Sequence, residues 1–238
     1  LFTLCDIAAV GPNILNEWRI SLLRSLLFNA RDFLQRGLDT ANYSSSVQES
    51  LKKMVLEQAD KDMKVFIKKS IRYFPNLYWE AFSSKMILDI FDFYHDYQKS
   101  KKALSVKFLN YNNKEYGAVI VICPNRSGVL KDIVAGFNSS QINILGSRII
   151  SLNNNEIIDV FCVTSRIQKA IVEKNEQERV IQNITASLNQ EEFETYQPLF
   201  LTKIKVDVEP RITIDNQMSK MATTFQILSG DRQGLLMD

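Results

Sequence analysis

The residues best suited to chemistry lie in one short turn. Asn125, Arg126 and Gly128 fall within Cys123-Pro124-Asn125-Arg126-Ser127-Gly128-Val129-Leu130, and the pattern returns in Ser229-Gly230-Asp231-Arg232-Gln233-Gly234-Leu235-Leu236. Each copy sets an Asx-Arg-x-Gly turn between an apolar run and the aliphatic pair that opens a helix. Such a turn leaves unpaired backbone N–H groups at a helix N-terminus, beside a glycine that lets a ligand approach the main chain. Exposed donors and the helix dipole attract a carboxylate there. The side chain of Asn125 or Asp231 is placed to hold an amino group, so the chemistry is capture of a small zwitterion. The competing reading is an ordinary tight strand-to-helix turn. Asn143, at the start of the next strand in Asn143-Ile144-Leu145, is a further candidate, expected to face the turn across the sheet edge; otherwise it is a polar residue at a strand start.

Two other residues invite a metal reading. His95, flanked by Tyr94, Asp96 and Tyr97, is the single histidine. One His with one Asp is too few ligands, so it reads as a helix-end histidine. Asp6, in Leu-Cys-Asp-Ile-Ala-Ala, is a carboxylate in an apolar helix, costly there unless paired, exposed or metal-bound. A single imidazole also excludes His-rich metal sites, and neither a GxGxxG nor a GxxxxGK[ST] phosphate loop is present. No catalytic residue and no cofactor is expected in this chain.

The background composition fits a cytosolic globular protein of one to two domains. The chain has 238 residues, 45% of them hydrophobic, and a net charge of +2. Lys and Arg are interleaved with Asp and Glu, which argues against a nucleic-acid face, and the run Lys99, Lys101, Lys102 reads as a solvated linker. Cys5, Cys123 and Cys162 each sit in an apolar run and are expected to be reduced, buried thiols. No apolar stretch reaches membrane-spanning length and no signal peptide opens the chain, so neither a membrane nor export is expected.

The elements that must position the turn fall into three blocks. Residues 1–97 read as helical: a stripe over 14–38 after Gly11-Pro12-Asn13, a second helix over 46–72 with Ser46 and Glu49 in capping-box spacing, and an aromatic-rich helix over 83–97. Residues 103–209 change period. Strands are expected at 116–123, 141–150, 156–164 and around 201–208, with a helix capped by Ser127, a second helix over 171–189 and a hairpin turn at Asn153-Asn154-Asn155. The first helix is expected to present Leu130, Ile133, Val134 and Phe137 inward. The order β-α-β-β-α-β predicts a ferredoxin-like α+β unit, an antiparallel sheet with two helices on one face. Residues 210–238 begin to repeat this block with a period near 105, as a strand and helix cap that cannot bury a core alone. Both ends of the chain read as cuts.

These segments resemble a known family. Residues 1–12, with Trp18 and Leu22-Leu23-Arg24, resemble the close of the HD domain in the bacterial PII uridylyltransferase/uridylyl-removing enzymes. Tyr78-Trp79 and Ala81-Phe82 resemble that family's link segment, residues 117–164 its first ACT domain, and residues 210–236 the opening of its second. The resemblance implies the regulatory, glutamine-sensing C-terminal portion of a bifunctional enzyme that attaches UMP to the PII signal protein and removes it with a divalent metal, Mg or Mn. It implies that Asp6 matches the last metal-ligand aspartate of a complete HD domain. It implies that Asn125, Arg126, Gly128, Asp231, Arg232 and Gly234 belong to two effector loops, with ACT-mediated self-association. The sequence departs from the family at Asn125, where aspartate is usual, and at Ser127 and Gln233, where proline is usual. The nucleotidyltransferase domain and the His-Asp pair are missing, so no transfer or removal is expected from this chain alone. The alternatives are a free-standing ACT-type binding module and a remnant without ligand.

Overall fold

The computed structural model describes residues 2–10, 23, 26–27, 30, 40–110, 116–165, 171, 173–190, 209–217 and 223–229. The helices expected over 14–38, the strand around 201–208 and the second turn at 231–234 lie outside the described residues, apart from isolated helical positions.

The helical block comprises α1 (Phe2–Val10), α2 (Thr40–Gln58), α3 (Lys61–Ser70) with a 3-10 turn at Ile71–Tyr73, α4 (Asn76–Ala81) and α5 (Ser84–Ser100). The single helix expected over 46–72 is broken at Ala59-Asp60. The Asp60 carboxylate accepts from the Met63 amide at 2.7 Å and starts α3 afresh. Ser46 is correspondingly inside α2 rather than at its N-cap. Ser83 caps α5, accepting from Met86 N at 3.4 Å. The block's interior is aromatic. Phe74 packs at a tilt against Tyr78 and Phe91, each at 4.6 Å between centroids, and stands edge-on to Tyr94.

The sheet contains β1 (Ser105–Asn110), β2 (Gly117–Pro124), β3 (Ile142–Ser151) and β4 (Glu156–Ser165), all antiparallel, in the order β1-β2-β4-β3. Helices α6 (Val129–Ser139) and α7 (Lys174–Leu188) follow β2 and β4, giving the first five elements of the expected β-α-β-β-α-β order. The strand beside β2 at the edge is β1, which the sequence pattern did not single out. Val106 and Phe108 alternate in it, but every residue from Ser105 to Leu109 is only half-buried, so the signal is weak.

Strand β2 explains the architecture. From Gly117 to Cys123 it is buried without a break, and such a run requires cover on both faces. Val119, Val121 and Cys123 pack with Ile133 and Phe137 of α6 and Val180 and Ile184 of α7. Ala118, Ile120 and Ile122 face the other way, onto Ile90, Phe91, Tyr94 and Tyr97. The helical block is therefore the second layer of the sheet. Helices α6 and α7 cross closely at Gly136, where a Cβ would lie 2.5 Å from Ile184 Cα. Leu130, expected on the inner face of α6, is 43% exposed, and Val129 takes the inward place. Cys123 is buried and Cys162 half-buried, but Cys5 is exposed on α1, contrary to the expectation for all three thiols.

The remaining strands, β5 (Arg211–Asp215) and β6 (Thr224–Leu228), form a separate two-stranded antiparallel ribbon. Arg211 opposes Leu228 as Ser105 opposes Ile122, an offset of 106 in both strands (211 less 105, 228 less 122). The repeat seen in the sequence thus extends to the register of a hairpin.

Candidate functional site

The expected binding turn sits where β2 ends. Asn125, Ser127 and Gly128 are exposed and Arg126 is half-buried. Gly128 is the N-cap of α6 with φ +80, a left-handed conformation that favours glycine. A Cβ built there meets nothing within 4 Å, so the space over this residue is open. Ser127, expected to cap the helix, makes no side-chain cap bond; the change of backbone direction falls at Gly128 instead.

The loop's donors divide into held and free. The Asn125 amide donates to Asn155 O at 2.8 Å and is committed to the β3–β4 turn. Val129 N closes a turn on Arg126 O at 3.3 Å. The amides of Arg126, Ser127, Gly128 and Leu130 meet no acceptor among the described residues. These donors surround the start of an eleven-residue helix, the geometry that accepts an anionic group. The Arg126 guanidinium does not point into this space. It pairs with Asp132 in the first turn of α6 and donates to Leu188 O at 3.1 Å, fastening the loop to both helices. Its role here is to shape the loop.

Asn143 is not part of this arrangement within one chain. It opposes Thr164, whereas Pro124 opposes Glu156. Eight residues of β4 separate those two levels, about 26 Å at the strand rise. Strands β2 and β3 run in the same direction on either side of β4, so the start of β3 lies at the end of the sheet away from the loop. The expectation that Asn143 faces the turn is corrected by that topology.

The metal candidates are also dispersed. Asp6 is exposed on α1, and His95 lies 4.4 Å from the Phe66 ring, a packing contact. Among the described residues, no three His, Cys, Asp or Glu side chains come together. Asp6 alone does not make a metal site.

Two groups near the loop escaped sequence reasoning. Asp159 on β4 is fully buried, opposite Val121. One carboxylate oxygen accepts from Ile150 N at 3.2 Å, and the other has no hydrogen-bond partner among the described residues. Burial pushes its pKa up to about 7. Burial, with Asp159 nearby, pushes the Cys123 thiol up to about 11, so it stays protonated and is not a nucleophile at neutral pH. An Asp within the β-branched run Glu156–Ser165 was the available signal. The second group is Glu156 with Tyr94, Gln98 and Asn154, a network joining residues far apart in sequence.

A separate concavity of about 410 Å³ lies between α5, β1 and α7, lined by Tyr97, Lys102, Leu104 and Ile181 among others. It contains none of the expected site residues. Among the described residues no helix is long and apolar enough to cross a membrane.

No protein-family model matches the chain. Curated relatives do. The chain is 26% identical over 240 residues to a bifunctional uridylyltransferase/uridylyl-removing enzyme of Rhodospirillum rubrum, covering 98% of this chain and 26% of the relative. Enzymes of the same description from Azospirillum brasilense and Erythrobacter litoralis are 23% and 27% identical, over 100% and 99% of this chain and 26% of each relative. The chain therefore spans about a quarter of the length of the curated relatives it matches.

Proposed function

We propose that this chain, a relative of the bifunctional uridylyltransferase/uridylyl-removing enzymes, is an amino-acid-sensing regulatory portion of such an enzyme. The domains are a helical portion over 1–97 that closes an HD domain and links onward, an ACT unit over 103–209, and the opening of a second ACT unit over 210–238. The effector is a small zwitterion, glutamine for an enzyme of nitrogen regulation. The PII protein is the partner of the whole enzyme. A divalent metal belongs to that enzyme's complete HD domain, where Asp6 would be one ligand among several supplied from elsewhere.

The observation that carries this reading is the Arg126–Leu130 loop. The amides of Arg126, Ser127, Gly128 and Leu130, without acceptors among the described residues, the dipole of α6 and the open face of Gly128 offer a site for a carboxylate, and the exposed Asn125 amide side chain stands ready for an amino group. The matching turn at Asp231, Arg232 and Gly234 would form the second effector site. Asn143 contributes only if a second copy brings the far end of its β3 to this loop, so self-association is part of the same proposal.

The test is calorimetry of the purified chain with L-glutamine. Saturable heat is expected from the intact protein, with loss of binding in Gly128→Val, whose side chain would fill the open face and strain a left-handed residue. Absence of heat from the intact chain, or equal affinity in the variant, refutes the assignment. Turnover of uridylylated PII by the chain alone would refute its purely regulatory character.

A further inference from the structure

The β3–β4 turn is tied on both sides. Toward the binding loop, Asn155 O accepts from Asn125 N at 2.8 Å, and Glu156 stands directly across from Pro124. Toward the helical block the ties are denser. The Asn153 amide donates to Tyr73 O at 2.9 Å and its side chain to Arg72 O at 3.1 Å. Tyr94 Oη donates to Glu156 Oε2 at 2.8 Å, and Gln98 Nε2 to Glu156 Oε1 at 3.2 Å. Asn154 Nδ2 reaches both Tyr94 Oη, at 3.0 Å, and Glu156 Oε2, at 2.7 Å. Asn155 takes the left-handed conformation, φ +64, that lets the three-residue loop Asn153–Asn155 close through Leu152 N on Glu156 O at 2.8 Å. Burial, with the Glu156 carboxylate next, raises the Tyr94 pKa, so the phenol keeps the proton it donates.

The geometry points to Glu156 and Tyr94 as positioning residues for the binding loop. Through the Asn153–Glu156 turn, the helical block sets where Asn125 stands. Neither residue touches the loop's open face. They act by fixing the turn whose carbonyl holds the Asn125 amide. By linkage, anything that displaces α5 against the sheet alters the loop, and anything that fixes the loop steadies α5 to the same extent. The coupling is a physical chain of hydrogen bonds from residue 125 to residues 72–98. Its role in effector response rests on the regulatory reading above; the mechanical link does not.

Amide hydrogen exchange on the full chain tests the link without any effector. Glu156→Ala removes the acceptor shared by Tyr94, Gln98 and Asn154. The Asn125 amide is expected to exchange at least tenfold faster, with Ile120 and Ile122 in β2 unchanged. Glu156→Gln, which keeps one acceptor oxygen, should fall between. Lys107→Ala, which breaks the Lys107–Asp92 pair at 3.6 Å between β1 and α5, should leave Asn125 as it is. Unchanged exchange at Asn125 in Glu156→Ala, or equal acceleration in β2 or in the Lys107 variant, overturns the proposal. A parallel glutamine titration separates the two readings. Binding weakened several-fold in Glu156→Ala supports the functional half and unweakened binding overturns it. No binding to the intact chain sinks the effector reading and leaves the exchange result to judge the link.

Discussion

The β1–β2 and β5–β6 hairpins share a register yet live in opposite surroundings. In the first, Val119 and Val121 are sealed beneath α6 and α7. Their counterparts at the same offset, Phe225 and Ile227, are 63% and 67% exposed, and so are their cross-strand partners Ile212 and Ile214. Apolar alternation and pairing are thus encoded locally, within each strand pair. Burial is conferred by what packs on the pair, and the apolar residues of β5–β6 stay exposed. A repeat in sequence predicts a repeated hairpin, but not a repeated core.

That contrast can be broken most forcefully at the crossing that seals the first hairpin. Gly136→Val should unfold the chain or cost at least about 3 kcal/mol, because its Cβ would meet the Ile184 backbone and neither helix can yield cheaply. Denaturant midpoints check this. Next, Ile122→Ala should cost about 2–5 kcal/mol by emptying a fully buried site. Its register counterpart Leu228→Ala should cost less than about 0.5 kcal/mol, since Leu228 is 56% exposed. Equal costs would show that β5–β6 has cover of its own.

A smaller effect comes from Asp159, on the sealed side. A buried carboxyl with its pKa raised to about 7 favours the protonated folded state. Its stabilising proton is fully in place below the ordinary carboxylate range near pH 4, and the contribution is lost as pH rises towards and through 7. Unfolding free energy should therefore fall by a few kcal/mol at most between pH 4 and pH 8, and Asp159→Asn should flatten that component. A pH profile identical in the two proteins would contradict it. A further small effect is expected at the rim of the loop. Gly128→Ala should cost about 1 kcal/mol from its left-handed backbone alone, there being space for the methyl group.

Local chemistry made much of this legible. The β2–α6 turn, the Asn153–Asn155 hairpin and the aromatic α5 followed from apolar runs, turn residues and helical spacing. What sequence missed depends on long-range placement. Asn143 lies near Asn125 in order, but the crossover between parallel strands sends it to the opposite end of the sheet. Glu156 reads as an ordinary polar strand start until Tyr94, sixty-two residues earlier, is seen to donate to it. The Ala59-Asp60 break was obscured because Asp60 sits inside a pattern that stays in helical phase on both sides. Ser127 looked a better cap than Gly128 because side-chain preference was visible and the sign of φ was not.

We propose the turn after β2 as an open amide site for a zwitterion. The most direct measurement is a nitrogen–proton correlation spectrum of the chain titrated with L-glutamine. Saturable shifts are expected, concentrated at the Arg126, Ser127, Gly128 and Leu130 amides. Shifts elsewhere with these four unmoved, or no shifts at saturating glutamine, would contradict it.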